Sequence, residues 1–167
     1  MRVLISTLML ICGMAAAGPA LAQATAVGQH NNWGVYSYTA DNGKKVCYAM
    51  SVPSEKKPSS LNHGEIFFFV SQKDGQKIAS EPQFIAGYNF QSNSKVNVTI
   101  GNKTFTMFTK GSSAWLQDSA EEPQMIAAMK AGATMQVSAT SGRGNNTSYV
   151  FSLSGVTAAI NATGDCK

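Results

Sequence analysis

Lys95-Val-Asn-Val-Thr-Ile100 alternates polar and apolar side chains, Gly101-Asn102 supplies a two-residue turn, and Lys103-Thr-Phe-Thr-Met-Phe-Thr109 returns with the same period. A side-chain period of two belongs to a strand with one wet face, and two such runs joined by a tight glycine turn read as an antiparallel hairpin. The period recurs near the end of the chain. There Tyr149, Phe151 and Leu153 fall on one face, opposite Ser148, Val150, Ser152 and Ser154. Gly155 lets the backbone turn, and Val156 to Ile160 has the length of one or two helical turns.

The rest of the chain follows the same pattern. Trp33 to Tyr38, the turn Asp41-Asn-Gly43 and Lys45 to Ser51 form a second hairpin signal, with Val46, Tyr48 and Met50 on one face and Cys47 on the other. Pro53 to Asn62, with two prolines and Glu-Lys-Lys, reads as an exposed loop. Glu65 to Gln72 is too uniformly apolar to have a wet face, so it is expected to be a central strand. Lys73 to Gln76 is a turn, Gln83 to Phe90 a strand broken at Gly87, Ala114 to Leu116 a short strand, and Thr134 to Thr140 an alternating one. One helix interrupts them, from Glu122 to Ala131: Pro123 suits its first turn, Met125, Ile126 and Met129 make a stripe, and Gly132 ends it. About eight to ten short, evenly spaced strands argue for an all-β chain. The expected fold is an all-β sandwich with one short helix between late strands. An eight-stranded outer-membrane barrel is the rival, and the strands are short for it.

The first 22 residues have the organisation of a cleaved secretory signal: Arg2, an apolar run from Val3 to Ala17, and Ala20-Leu21-Ala22 before Gln23. A retained membrane helix is the alternative, and the run is short for one. Cleavage leaves 145 of the 167 residues, enough for one domain. Residues 23–32 are small and polar, a flexible leader, and 33–167 form the single domain. After cleavage 12 basic residues face 9 acidic ones, because Arg2 leaves with the signal. The charges are scattered, with no arginine cluster or aromatic-interleaved basic stripe, which argues against nucleic acid as a partner. No membrane-spanning stretch remains. Cys47 and Cys166 are the cysteines left. In an oxidising compartment they are expected to pair, closing a 120-residue loop from 47 to 166 for up to about 5 kcal/mol. Two free buried thiols are the alternative.

The chemistry-bearing residues are few. His30 lies in the leader and His63 at a loop–strand junction, and no zinc-protease, serine-nucleophile or Ser-x-x-Lys pattern is present. No catalytic residue, metal ligand or cofactor site is expected. The sequons at Asn97, Asn102, Asn145, Asn146 and Asn161 need carry no glycan. Trp33 and Trp115 are expected as core or half-buried aromatics rather than ligand platforms. Arg143, between Gly142 and Gly144, is the one arginine left after processing and the candidate partner-binding residue. A solvated turn cation or the partner of a carboxylate is the plainer reading of it.

Five segments in order, Trp33-Gly-Val-Tyr, Val46-Cys-Tyr, Phe84-Ile-Ala-Gly-Tyr, Ala127-Ala-Met-Lys-Ala-Gly132 and Phe151-Ser-Leu-Ser-Gly-Val-Thr-Ala-Ala159, resemble the invasion-associated locus B family of alphaproteobacteria. The resemblance implies an exported immunoglobulin-like sandwich and supplies no catalytic residues to carry over. The expectation is therefore a non-enzymatic protein of the periplasm, secreted or at the cell surface. It would bind a protein or envelope-surface partner in host-cell invasion or envelope maintenance. The alternative is a small periplasmic enzyme or ligand-binding protein with a pocket near His63 and Arg143.

Overall fold

The structure, a computed structural model, describes residues 24–72 and 80–165. The signal segment with its cleavage point, the turn at Lys73 to Gln76 and Cys166 lie outside the described residues. The strands are β1 (Thr25–His30), β2 (Trp33–Thr39), β3 (Lys45–Ser51), β4 (Glu55–Lys57), β5 (Phe67–Gln72), β6 (Ser80–Ile85), β7 (Lys95–Ile100), β8 (Lys103–Lys110), β9 (Ser113–Leu116), β10 (Thr134–Thr140) and β11 (Asn146–Ser152). A 3-10 turn at Ser119–Glu121 leads into α1 (Glu122–Ala131), and α2 (Val156–Asp165) follows β11.

All eleven strands of the described residues join one antiparallel sheet in the order β1-β2-β3-β5-β6-β9-β8-β7-β10-β11-β4. The sheet curls on itself. β4 follows β3 after three residues, yet it pairs with β11 at the far end of the order. Asn32 N–H donates to the Ser154 carbonyl at 3.2 Å, and the Trp33 indole donates to the Ser152 carbonyl at 3.0 Å. The two halves thus face each other across one core, the all-β sandwich expected. Alternation decides which side chains enter it: Tyr149, Phe151 and Leu153 are buried together, as are Val96, Val98 and Ile100. Phe84 packs on Tyr149 at 5.6 Å between ring centroids, and Phe68 meets Phe151 edge-on at 5.8 Å. On β3 the buried face is the one carrying Cys47, Ala49 and Ser51, while Val46, Tyr48 and Met50 look outward.

Several elements differ from expectation. Residues 25–30 are a strand rather than a flexible leader, because the outer edge of β2 offers backbone groups that any sequence can satisfy. The β1–β2 turn needs Asn31 at φ 49°. It sits so close to Gly155 that a Cβ there would collide with the His30 carbonyl oxygen. Glu55–Lys57, within the expected loop, pairs with β11 in the same way. β6 begins before Pro82, which lies beyond the three residues that pair with β9, so its missing N–H breaks no ladder there. α1 has the expected bounds, with Met125 and Met129 fully buried. A second helix joins it. α2 extends past Ile160 to Asp165 because Val156, Ala159, Ile160 and Thr163 make one buried stripe. The Thr163 hydroxyl donates to the Ile160 carbonyl at 2.7 Å. α2 packs on β1, β2, β3 and β5. Among the described residues no helix is long and apolar enough to cross a membrane.

Candidate functional site

At one end of the sandwich the segment entering β5 crosses the segment leaving β6. Gly64 and Gly87 meet at the crossing, where a Cβ on Gly87 would fall 2.5 Å from the His63 carbonyl oxygen and 2.6 Å from the Glu65 nitrogen. Only glycine lets two backbones pass this closely. The β10–β11 loop folds over the same place. Gly142 N–H donates to the Asn89 carbonyl at 2.8 Å, and Gln91 N–H to the Thr140 carbonyl at 3.0 Å. Within the loop, Ser141 N–H donates to the Asn145 carbonyl at 2.9 Å, and Asn145 N–H to Ser141 Oγ at 3.2 Å. Together these loops enclose a cleft of about 550 Å³ lined by His63, Tyr88, Arg143, Thr147 and the asparagines 62, 89 and 145, among others.

The structure therefore brings His63 and Arg143, 80 residues apart in the chain, to one cavity. Their states differ. His63 is buried and both its ring nitrogens are engaged: Nε2 lies 2.9 Å from the Pro58 carbonyl, and Nδ1 lies 2.8 Å from the Tyr149 hydroxyl. The carbonyl can only accept, so Nε2 carries the hydrogen, and Nδ1 of a neutral ring accepts from Tyr149. The Tyr149 oxygen is 2.9 Å from that of Tyr88, which in turn is 2.6 Å from Thr147 Oγ1. Thr147 donates to the Ala139 carbonyl at 3.2 Å.

This chain has backbone acceptors at both ends, which makes it one proton short. When the His63 ring is neutral, the three hydroxyl hydrogens of Tyr149, Tyr88 and Thr147 serve four contacts, so one contact in the chain always lacks a hydrogen. The hydrogens are assigned from donor and acceptor capacity. Burial, reinforced by the Tyr88 hydrogen bond, pushes the Tyr149 hydroxyl well above the usual tyrosine range.

Arg143 is exposed and its guanidinium makes no hydrogen bond or ion pair with a described residue. A second cation touches the lining from outside it, where the Lys56 ammonium donates to the Gly64 carbonyl at 3.1 Å. Among the described residues no carboxylate lines the cleft. Asn62 Oδ1 accepts from Gly64 N–H at 3.0 Å, which leaves its amide hydrogens unused. Sequence reasoning singled out His63 and Arg143 but not Tyr88, Tyr149, Thr147 or the three asparagines as their companions. The one available signal was that Thr147, Tyr149 and the loop before them belong to one hairpin. Elsewhere, Trp33 is in the core and Trp115 is half-buried on the outer face, stacked on Phe108. His30 ends β1 and is not among the residues lining the cleft. Among the described residues no group of histidine, cysteine and acidic side chains could hold a metal ion.

An antiparallel sandwich with a cation-rimmed polar cleft between the loops at one end is the class that this geometry defines. The chain belongs to the invasion associated locus B (IalB) protein family, whose model matches residues 33–164. It is similar in fold to the crystal structure of invasion associated protein B from Bartonella henselae, with a TM-score of 0.60 and 14% identity. That match covers 86% of this chain and 95% of the Bartonella chain. No curated protein matches the sequence.

Proposed function

We propose that this is an exported protein of the invasion associated locus B type that acts by binding rather than by catalysis. It works in the periplasm, secreted or at the cell surface, after removal of residues 1–22, in host-cell invasion or envelope maintenance. The observation that carries this reading is the unpartnered Arg143 guanidinium at the mouth of a cleft without carboxylates. A free fork of five donors there is a recognition element for an acidic group on a partner. The engagement of both His63 nitrogens inside the fold supports the non-catalytic part, since neither is left to take a proton from a substrate. The gathering of His63 and Arg143 in one cavity favours a ligand site over a featureless protein-binding face.

Mature protein immobilised and exposed to envelope extract should retain a partner that Arg143→Ala retains at least about tenfold less. Equal retention by both would remove Arg143 from the site.

The pairing of Cys47 with Cys166 belongs to the same proposal. Cys47 is buried on β3, and α2, which packs on β3, ends one residue before Cys166. Non-reducing peptide mapping should recover the linked pair, and complete labelling of both thiols in unreduced protein would exclude it.

A further inference from the structure

We propose that the cleft beside His63 and Arg143 takes an acidic sugar, a polyhydroxylated ring bearing a carboxylate. This rests on the reading of the protein as a binder and adds the chemistry of what it binds. A volume of about 550 Å³ lies within the range of small-ligand sites and has room for a sugar ring. Arg143 and Lys56 set the sign of the charge, and the planar guanidinium suits a carboxylate, which it can hold by two parallel bonds.

The remaining lining decides what the carboxylate is attached to. The Asn89 and Asn145 carboxamides make no hydrogen bond to a described residue, and the Asn62 amide hydrogens are free. Carboxamides offer donors and acceptors together, the complement of a ring of hydroxyls. Tyr88 and Thr147 line the cleft and belong to a hydroxyl chain one hydrogen short, which a sugar hydroxyl can complete. A fatty acid would meet amides where it needs apolar wall, because Leu61 is the one aliphatic side chain in the lining. An acidic peptide would satisfy the cations and offer backbone N–H groups at its own spacing in place of a ring of hydroxyls.

The test is calorimetric titration of the full chain with glucuronate, glucose, acetate and an oligo-aspartate peptide. Glucuronate should bind at least about tenfold tighter than either glucose or acetate, because each control lacks one half of the recognition. Arg143→Ala should weaken glucuronate about tenfold or more while leaving the melting temperature unchanged. Tyr88→Phe should weaken glucuronate several-fold and leave the weak acetate interaction as it was, a split that a merely structural role would not produce. If Tyr88→Phe melts early, Asn89→Ala provides the same test from an exposed position. A glucuronate-ended oligosaccharide binding tighter than the free acid would place the source on a glycan, and equal affinity would place it in solution. Acetate matching glucuronate would overturn the proposal. Oligo-aspartate held through Arg143, with no glucuronate binding, would also overturn it and leave the broader binding reading standing. Binding of every probe unchanged by Arg143→Ala would end both.

Discussion

The cleft and the outer face of the sheet hold aromatic side chains in opposite ways. In the cleft, Tyr88 and Tyr149 bury hydroxyls that must find partners, and they reach them through His63 and Thr147. On the outer face, Met50, Phe69, Gln83, Trp115 and Phe108 stand in register across five strands. These rings meet one another, with Gln83 the polar side chain between Phe69 and Trp115 in the row. Tyr36 stacks on Tyr48 at 5.6 Å, Tyr48 meets Phe69 at 5.5 Å, and Phe108 stacks on Trp115 at 5.7 Å. Most are half-buried, and Phe108 is 39% exposed. Stacking is tolerant, because a ring that loses one neighbour keeps its others and water covers the rest. A buried hydrogen-bond chain is not, since removing one atom strands the atoms on both sides. The cleft is thus where the fold is brittle, and the outer face is where it accepts change.

The comparison can be broken most directly at the glycine crossing. Gly87→Ala places a Cβ against two backbone atoms that cannot rotate away, and it should cost about 3 kcal/mol in urea unfolding. A smaller loss than that of any single outer-face ring would mean that the crossing yields. Next comes Tyr149→Phe, expected to cost about 1–3 kcal/mol because His63 and Tyr88 both lose a partner. It has a signature in pH as well. The buried hydroxyl keeps its proton where unfolded tyrosine, with a pKa of 10.0, releases it. Its contribution is therefore complete below about pH 10 and is lost as pH rises above that value. Tyr149→Phe should flatten the alkaline fall in stability expected of the native chain, and an unchanged slope would assign that fall to other groups. The smallest effect belongs to the outer face. Trp115→Ala removes one stacked pair and should cost about 1 kcal/mol by the same unfolding measurement.

What was legible in the sequence follows the same division. Alternation placed Tyr149, Phe151 and Leu153 in the core and delimited the hairpin of β7 and β8, because packing chooses those side chains by their faces. The bounds of α1 were legible from Pro123, its methionine stripe and Gly132. β1 and β4 were not, since both are held by main-chain hydrogen bonds to a neighbour and their side chains face water. His63 and Arg143 could be singled out as residue types. Their meeting could not, because it depends on a glycine crossing and a hairpin loop whose partners are far apart in sequence. The Tyr88–Tyr149–Thr147 chain is hidden for a further reason: Tyr149 reads as an ordinary core aromatic until the direction of its hydroxyl is known.

The curling of all the described strands into one sheet also settles how many open borders the molecule presents. A sandwich of two separate sheets has four, each a row of unpaired backbone groups able to recruit another chain. Here only β1 and β4 are terminal. β4 is three residues long and consists of Glu55, Lys56 and Lys57, all exposed, so an approaching strand meets charge at every position. The ladder of β1 is interrupted by a register shift between Ala26 and Gly28, and α2 packs against that strand. Irregular on one side and charged on the other, the borders resist the strand-to-strand aggregation that threatens a chain built so largely of β-structure.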